Sequence, residues 1–292
     1  MPSRVILLSV TMIALLFTSS FSADIKALRK QAEAGDTEAQ LTLWQRYGNG
    51  DGVGKNDAEA VKWFRKAAEQ GNAMAQSNLG VMYAKGWGVR QNYTESFKWL
   101  RKAADKGNVV AQYNLGVAYG KGQGVSRNYA EAVKWTRKAA DQGSADAQYN
   151  MGVMYGGGQG VPQDYAEALR WTRKAAEQGN AEAQHNLGVM YYKGQGVPQD
   201  YSEAVKWYRN AADQGEASAQ FNLGIAYGRG EGAPQDIIQS YCFLSLAASR
   251  SSGEDHKKYS KARDQIAGIM TPEQLMEAQR MTREWEKSHP RK

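Results

Sequence analysis

The chain has 292 residues, 42% hydrophobic and 23% charged, the balance of an ordinary folded protein rather than a disordered or membrane-filling one. Its formal charge of +7 favours acidic partners or anionic surfaces, but without a basic cluster it gives no argument for nucleic-acid binding. The single cysteine, Cys242, excludes an internal disulfide framework.

The first element is a leader. Arg4 precedes an apolar run from Val5 to Phe17, and the small residues Ser20, Ser22 and Ala23 follow. A positive start, a short apolar core and a small-residue cleavage site read as a secretory signal peptide spanning residues 1–22. The run is short for a bilayer span, and an uncleaved anchor is the alternative. Cleavage would leave a mature chain that is not an integral membrane protein. It would be periplasmic or, alternatively, secreted.

From there the chain repeats every 36 residues, as Gly35, Gly71, Gly107, Gly143, Gly179 and Gly215 show. Gln40, Gln76, Gln112, Gln148, Gln184 and Gln220 keep the same step, and so do Tyr47, Tyr83, Tyr119, Tyr155, Tyr191 and Tyr227. Trp63, Trp99, Trp135, Trp171 and Trp207 form a further column that ends in Phe243. A fixed period of this length means stacked supersecondary units rather than one globular core. The expected division is a repeat region over 23–251, in units 36–71, 72–107, 108–143, 144–179, 180–215 and 216–251, then capping helices and a tail over 252–292. A half-unit helix near 25–34 precedes the first pair.

Each unit reads as helix A, a turn and helix B. In the fifth, Ala183, Leu187, Gly188 and Tyr191 recur at helical spacing, and the turn Gly194-Gln195-Gly196-Val197-Pro198 stops the helix. Helix B should bury Ala204, Trp207, Tyr208, Ala211 and Ala212, and Gly215 closes it. Its start carries a capping-box pattern in every unit: Asn56 with Glu59, Asn92 with Glu95, Asn128 with Glu131, Asp164 with Glu167, Asp200 with Glu203 and Asp236 with Gln239. Asn92-Tyr93-Thr94 also matches a glycosylation acceptor, but it is one copy of this cap. Gly80, Gly116, Gly152, Gly188 and Gly224 lie inside helix A, where glycine costs roughly 0.5–1 kcal/mol against alanine. Such a repeated cost implies close approach of helix B. Trp44 stands in that column in the first unit, so packing there should be looser or shifted. After the repeats, one helix is expected near 255–268 and another from Pro272.

The pattern A-x-A-Q-x-N-L-G-x-x-Y, then G-x-G-V, then E-A-x-K-W-x-R-K-A-A-x-x-G, resembles the Sel1-like repeat family over about residues 24–250. The stretch Met270–Arg280 is similar to the ending of many bacterial members. The resemblance implies an all-α fold: an α/α solenoid (right-handed superhelix) of six 36-residue helix-turn-helix repeats, with an N-terminal half-unit and C-terminal capping helices. It also implies an adaptor role in export, envelope signalling, surface assembly or host contact.

Catalytic constellations are missing. His185, His256 and His289 are far apart, there is no H-E-x-x-H, and no phosphate loop ends in Gly-Lys-Ser/Thr. Gly156-Gly157-Gly158 occupies an ordinary inter-helix turn. Some cysteine-rich relatives have been linked to β-lactams, but those have paired cysteines in each repeat, absent here. The expectation is therefore no enzyme, no cofactor and no metal, with a cell-wall or β-lactam-acting enzyme as the alternative. Cys242 is expected to be a small core residue.

In related helical-repeat folds the A helices line the concave face. By that resemblance three columns would form a binding groove for protein or peptide. One is Ser77, Tyr113, Tyr149, His185 and Phe221. The next is Asn78, Asn114, Asn150, Asn186 and Asn222. The last is Lys85, Lys121, Lys193 and Arg229, interrupted by Gly157. Aromatics are common anchors, asparagine suits a peptide backbone, and cations favour carboxylates, so the groove would take an extended or acidic segment. The alternatives are asparagines that bond only between repeats and lysines that are solvated helix ends. The pairs Arg65-Lys66, Arg101-Lys102, Arg137-Lys138 and Arg173-Lys174 are expected to pair locally with Glu69, Asp105, Asp141 and Glu177. The functional expectation is an exported, non-catalytic adaptor, in one version a regulator of an envelope sensor or assembly. A secreted protein that meets host components is a further alternative.

Overall fold

The computed structural model describes residues 24–290, and the expected signal peptide lies outside them. Fifteen helices and no strand occur among the described residues. Helix α1 is helical over 24–33. Twelve helices of 13 residues follow: α2 Thr37–Asn49, α3 Asp57–Glu69, α4 Ala73–Lys85, α5 Tyr93–Asp105, α6 Val109–Lys121, α7 Tyr129–Asp141, α8 Ala145–Gly157, α9 Tyr165–Glu177, α10 Ala181–Lys193, α11 Tyr201–Asp213, α12 Ala217–Arg229 and α13 Ile237–Ser249. The chain ends in α14, Gly253–Ala267, and α15, Pro272–Ser288. Contacts divide it into two compact units, one through Lys138 and the other from Ala139.

In the N-terminal unit successive helices pack on one another around Leu43, Trp63, Phe64 and Leu79. Helix A carries glycine because helix B leaves no room for a side chain. A Cβ on Gly80 would lie 2.6 Å from Leu100 Cγ, and one on Gly116 would lie 2.3 Å from Thr136 Oγ1. Trp44, in the same column, is accommodated by tilting against Phe64 with ring centres 4.4 Å apart.

The C-terminal unit repeats the arrangement around Leu187, Leu223 and Tyr208, and Cys242 is buried in its core. Val205 is buried while Trp207 is only half-buried, which corrects the expected face of α11. The Trp207 ring packs on the Ala175, Ala176, Ala183 and Leu187 cluster. Helix α14 covers Ala247 and Ala248 through Tyr259, and Met281 and Trp285 of α15 pack on the Cys242 and Phe243 cluster. Helix α15 starts with Pro272 and a reciprocal Thr271–Gln274 capping box.

The caps of the B helices are made by half. Asn56, Asn92, Asn128 and Asp200 each accept the backbone N–H three residues on, at 2.9–3.1 Å. The glutamates do not complete the box. The cap N–H is already taken by the carbonyl of the recurring tyrosine nine residues back, as in Asn56 to Tyr47 and Asp200 to Tyr191. Glu59, Glu95, Glu131, Glu167 and Glu203 pair with a cation three residues on instead.

The Arg-Lys pairs also differ from expectation. Arg101 forms the expected local bond to its acid, Asp105, at 3.0 Å. Arg65 and Arg173 donate to the phenols of Tyr83 and Tyr191, tying helix B to the next helix A. The lysines lie over the recurring tryptophans: Lys66 is 4.7 Å from the Trp63 ring centre and Lys174 is 4.8 Å from that of Trp171.

Buried glutamines seam the repeats. Gln76 donates to the Ala68 carbonyl and Gln184 to the Ala176 carbonyl, eight residues back. Gln40, Gln148 and Gln184 each also accept from the glutamine 30 residues on. Where that glutamine is replaced by Lys106 or Arg250, the Oε1 atoms of Gln76 and Gln220 have no partner.

Candidate functional site

In the N-terminal unit a cleft of about 340 Å³ opens between α4 and α6, over the first turns of α5. Its floor is apolar, from Val81, Ala84, Leu100, Val117 and Ala118. Its rim carries Lys85, Lys121, Asn114, Tyr93, Gln91 and Gln123, and no carboxylate lines it. The repeat builds this rim: α4, α6, α10 and α12 end in a basic residue followed by a glycine in the left-handed region, such as Gly86 at φ +75°, which turns the chain sharply away and leaves Lys85 exposed, whereas α2 and α8 end in Asn49 and Gly157. Three residues expected from sequence, Lys85, Asn114 and Lys121, are thus brought together. The Asn114 amide donates to the Val110 carbonyl at 2.9 Å, leaving its oxygen as acceptor.

The corresponding place in the C-terminal unit is filled. Tyr192 stands where α4 has Ala84, and its phenol donates to Glu231 Oε2 at 2.8 Å. Arg229 reaches the same phenol at 3.4 Å, and the Tyr192 and Tyr201 ring centres are 5.0 Å apart. The bond to Glu231 holds the Tyr192 pKa above the ordinary tyrosine value. Lys193 is exposed beside this network.

The aromatic column lies between repeats. Tyr113 and Tyr149 are half-buried, and the Tyr149 ring packs on the Ala175, Ala176, Ala183 and Leu187 cluster while its hydroxyl accepts from Asn186 Nδ2 at 3.3 Å. His185 Nε2 is 2.9 Å from Asn222 Nδ2, and its ring centre lies 6.0 Å from that of Tyr208. Burial lowers the His185 pKa, opposed by Glu216. Phe221 stacks on Tyr259 at 4.5 Å, with Lys258 Nζ 4.6 Å from its ring centre. Asn186 and Asn222 therefore serve inter-repeat bonds, the alternative raised from sequence. Asn78 and Asn150 are half-buried, and Ser77 is buried with no partner for its hydroxyl, so it is no part of a surface.

Trp87, which column reasoning passed over, is 61% exposed beside a second cleft lined by Trp44, Gly48, Ala60 and Met82. Its signal was legible: Asp51, Gln123, Gln159, Gln195 and Glu231 occupy the column where Trp87 stands. Among the described residues no group of three or more His, Cys, Asp or Glu is placed to hold a metal ion. Ammonium, amide and phenol groups over an apolar floor can bind and orient a chain.

The Sel1 repeat model matches residues 45–72, 73–108, 109–144, 145–180, 181–216 and 217–252. This chain belongs to the Sel1 repeat family. A crystal structure of a Sel1 repeat protein from Oxalobacter formigenes is 34% identical, covers 87% of this chain and 97% of its own, and superposes with a TM-score of 0.71. The c5321 protein, described as a protective antigen of uropathogenic Escherichia coli with an SLR fold, is 26% identical, with coverage of 90% and 86% and a TM-score of 0.46. Immunity protein Pa5087 from Pseudomonas aeruginosa is 22% identical, with coverage of 79% and 81% and a TM-score of 0.44. No curated protein matches the chain. Members of the family are protein-interaction scaffolds, and no helix among the described residues is long and apolar enough to cross a membrane.

Proposed function

We propose that this Sel1 repeat protein is an exported, non-catalytic adaptor that binds a protein or peptide segment along the ends of its A helices. The observation that carries the reading is the α4–α6 cleft, where Lys85, Lys121 and Asn114 surround an apolar floor without a carboxylate. Buried aliphatic surface supplies affinity for side chains, and exposed amides and ammonium groups satisfy a peptide backbone and acidic residues. Export is supported by the charged start, the Val5–Phe17 run and the small residues at 20–23. The site of action is the periplasm, and the role is to hold or assemble an envelope component such as a sensor.

Crosslinking of the tagged full-length protein in whole cells, followed by recovery from the periplasmic fraction, tests both parts. The expected result is a specific partner lost on K85E/K121E, together with a mature N-terminus near Ser22. Recovery of an intact Met1 in the membrane fraction would sink export. Absence of any crosslinked protein would sink the adaptor role.

A further inference from the structure

Two clefts flank α4 in the N-terminal unit. One is cationic, with Lys85 and Lys121 on its rim. The other is aromatic, lined by Trp44, Trp87, Met82, Gly48 and Ala60, with Asp57 at its edge. Trp87 is an exposed side chain on a fixed backbone. Its N–H donates to the Met82 carbonyl at 3.1 Å, and Gly86 donates to the same carbonyl at 2.8 Å. The next residue, Gly88, lies so close to α3 that a Cβ there would sit 2.7 Å from Val61 Cγ2 and 3.0 Å from the Asp57 carbonyl. A large aromatic group held this way loses little entropy on binding, and tryptophan is the residue most enriched among binding hot spots.

We infer that the two clefts form one bipartite site for an extended segment that places a large apolar side chain against Trp87 and Trp44 and an acidic side chain between Lys85 and Lys121. The spacing follows from the fold. Crossing one packed helix takes roughly 10 Å, and extended chain in the polyproline II form advances about 3.1 Å per residue with about three residues per turn, so two side chains about three residues apart span it on one face. Charge sorts the register. Asp57 disfavours an acid in the aromatic cleft, and the two lysines favour one in the other. This assignment rests on the adaptor reading and specifies its ligand.

The test uses the full chain and fluorescein-labelled nonapeptides in which phenylalanine precedes a pair of glutamates by three residues, with companions carrying Phe→Ala, Glu→Lys or an altered spacing. The parent peptide is expected to bind, and each companion to bind more than about tenfold more weakly, the loss of one hot-spot contact. W87A should erase the preference for phenylalanine, and K85E/K121E should make the lysine companion the better ligand. Both changes are at exposed positions, so retained helicity is read by circular dichroism. Peptide binding that ignores all three substitutions overturns the assignment, as does absence of peptide binding. If the partner crosslinked from cells binds W87A and K85E/K121E as well as wild type, the bipartite site falls and the adaptor reading stands. If no partner is crosslinked at all, the adaptor reading falls with it.

Discussion

Position 84 in α4 is alanine and position 192 in α10 is tyrosine, and with Gln123 answering to Glu231 that change distinguishes the α4–α6 cleft from its counterpart at α10 and α12. Around Ala84 the rim residues Lys85, Lys121 and Gln123 face an open cleft. Around Tyr192 the equivalent Arg229 and Glu231 close on the phenol. The backbone of the repeat is the same, and the helices have the same length. On the proposed reading, binding capacity resides in the columns that vary along the chain. The columns that do not vary keep the repeats stacked: the helix A glycines, the buried glutamines, and the tyrosines that hold both the next cap and the preceding arginine.

The C-terminal unit differs again at its end, where α14 and α15 cover the last repeat. Removing residues 253–292 should have the largest effect in the molecule. It would uncover Phe221, Ala247 and Ala248 and the Cys242 and Phe243 face, and the truncated protein should aggregate. Size-exclusion chromatography checks this, and a soluble, monomeric, helical truncation would show that the two helices are no cap. Next in size is F221A. The ring stacks on Tyr259, and its removal should cost about 2 kcal/mol, below the 3–5 kcal/mol of a fully buried phenylalanine. Urea denaturation measures it. A change under about 0.5 kcal/mol, the range of ordinary surface substitutions, would return Phe221 to the role of a free binding anchor.

The smaller step is to convert one unit into the other. A84Y/Q123E should rebuild in the N-terminal cleft the network that Tyr192 and Glu231 make in the C-terminal unit. Stability should change by less than about 0.5 kcal/mol, while affinity for the phenylalanine–glutamate peptide falls more than about tenfold. Isothermal titration separates the two quantities. Unchanged affinity would place the ligand away from the α4–α6 cleft.

What could be read in the residues follows the range of the interaction. Helix starts at Asn56, Asn92 and Asp200, the proline start of α15 and the glycines of helix A were legible because they depend on local backbone chemistry repeated in register. Of the residues expected to line a groove, Lys85, Asn114 and Lys121 lie together on one cleft, while Tyr149, His185 and Phe221, grouped with them from sequence, serve inter-repeat packing. What escaped depends on which group wins a shared partner across 9 to 37 residues. The Tyr47 carbonyl takes the cap N–H that Glu59 was expected to hold, and the Tyr83 phenol takes Arg65 away from Glu69. Trp87 escaped for another reason. Reading by columns rewards agreement, and Trp87 is a single departure.

The smallest predicted effect tests the seam itself. Gln148 and Gln184, in the C-terminal unit, each accept from the glutamine 30 residues on, at 2.6 and 2.7 Å. In the N-terminal unit Gln40 is satisfied in the same way by Gln70, at 2.9 Å, but Gln76 is not. Its partner position holds Lys106, which donates to the Gly71 carbonyl instead. A buried amide oxygen without a donor is a desolvation loss that Gln40, Gln148 and Gln184 avoid. K106Q should supply the donor and raise stability by about 0.5–1.5 kcal/mol, the net value of one hydrogen bond, reduced by the loss of the exposed Lys106 bond. The matching substitution Q178A should lower stability by a similar amount, because it strands Gln148 Oε1 as Gln76 Oε1 is stranded now. Denaturant midpoints for both variants decide the matter. Stabilisation by K106Q with destabilisation by Q178A would show that the glutamine seam contributes to holding the repeats in register. A K106Q variant no more stable than wild type would mean that Gln76 loses nothing measurable by the missing partner, and that the pairs at Gln40, Gln148 and Gln184 are geometry without net energy.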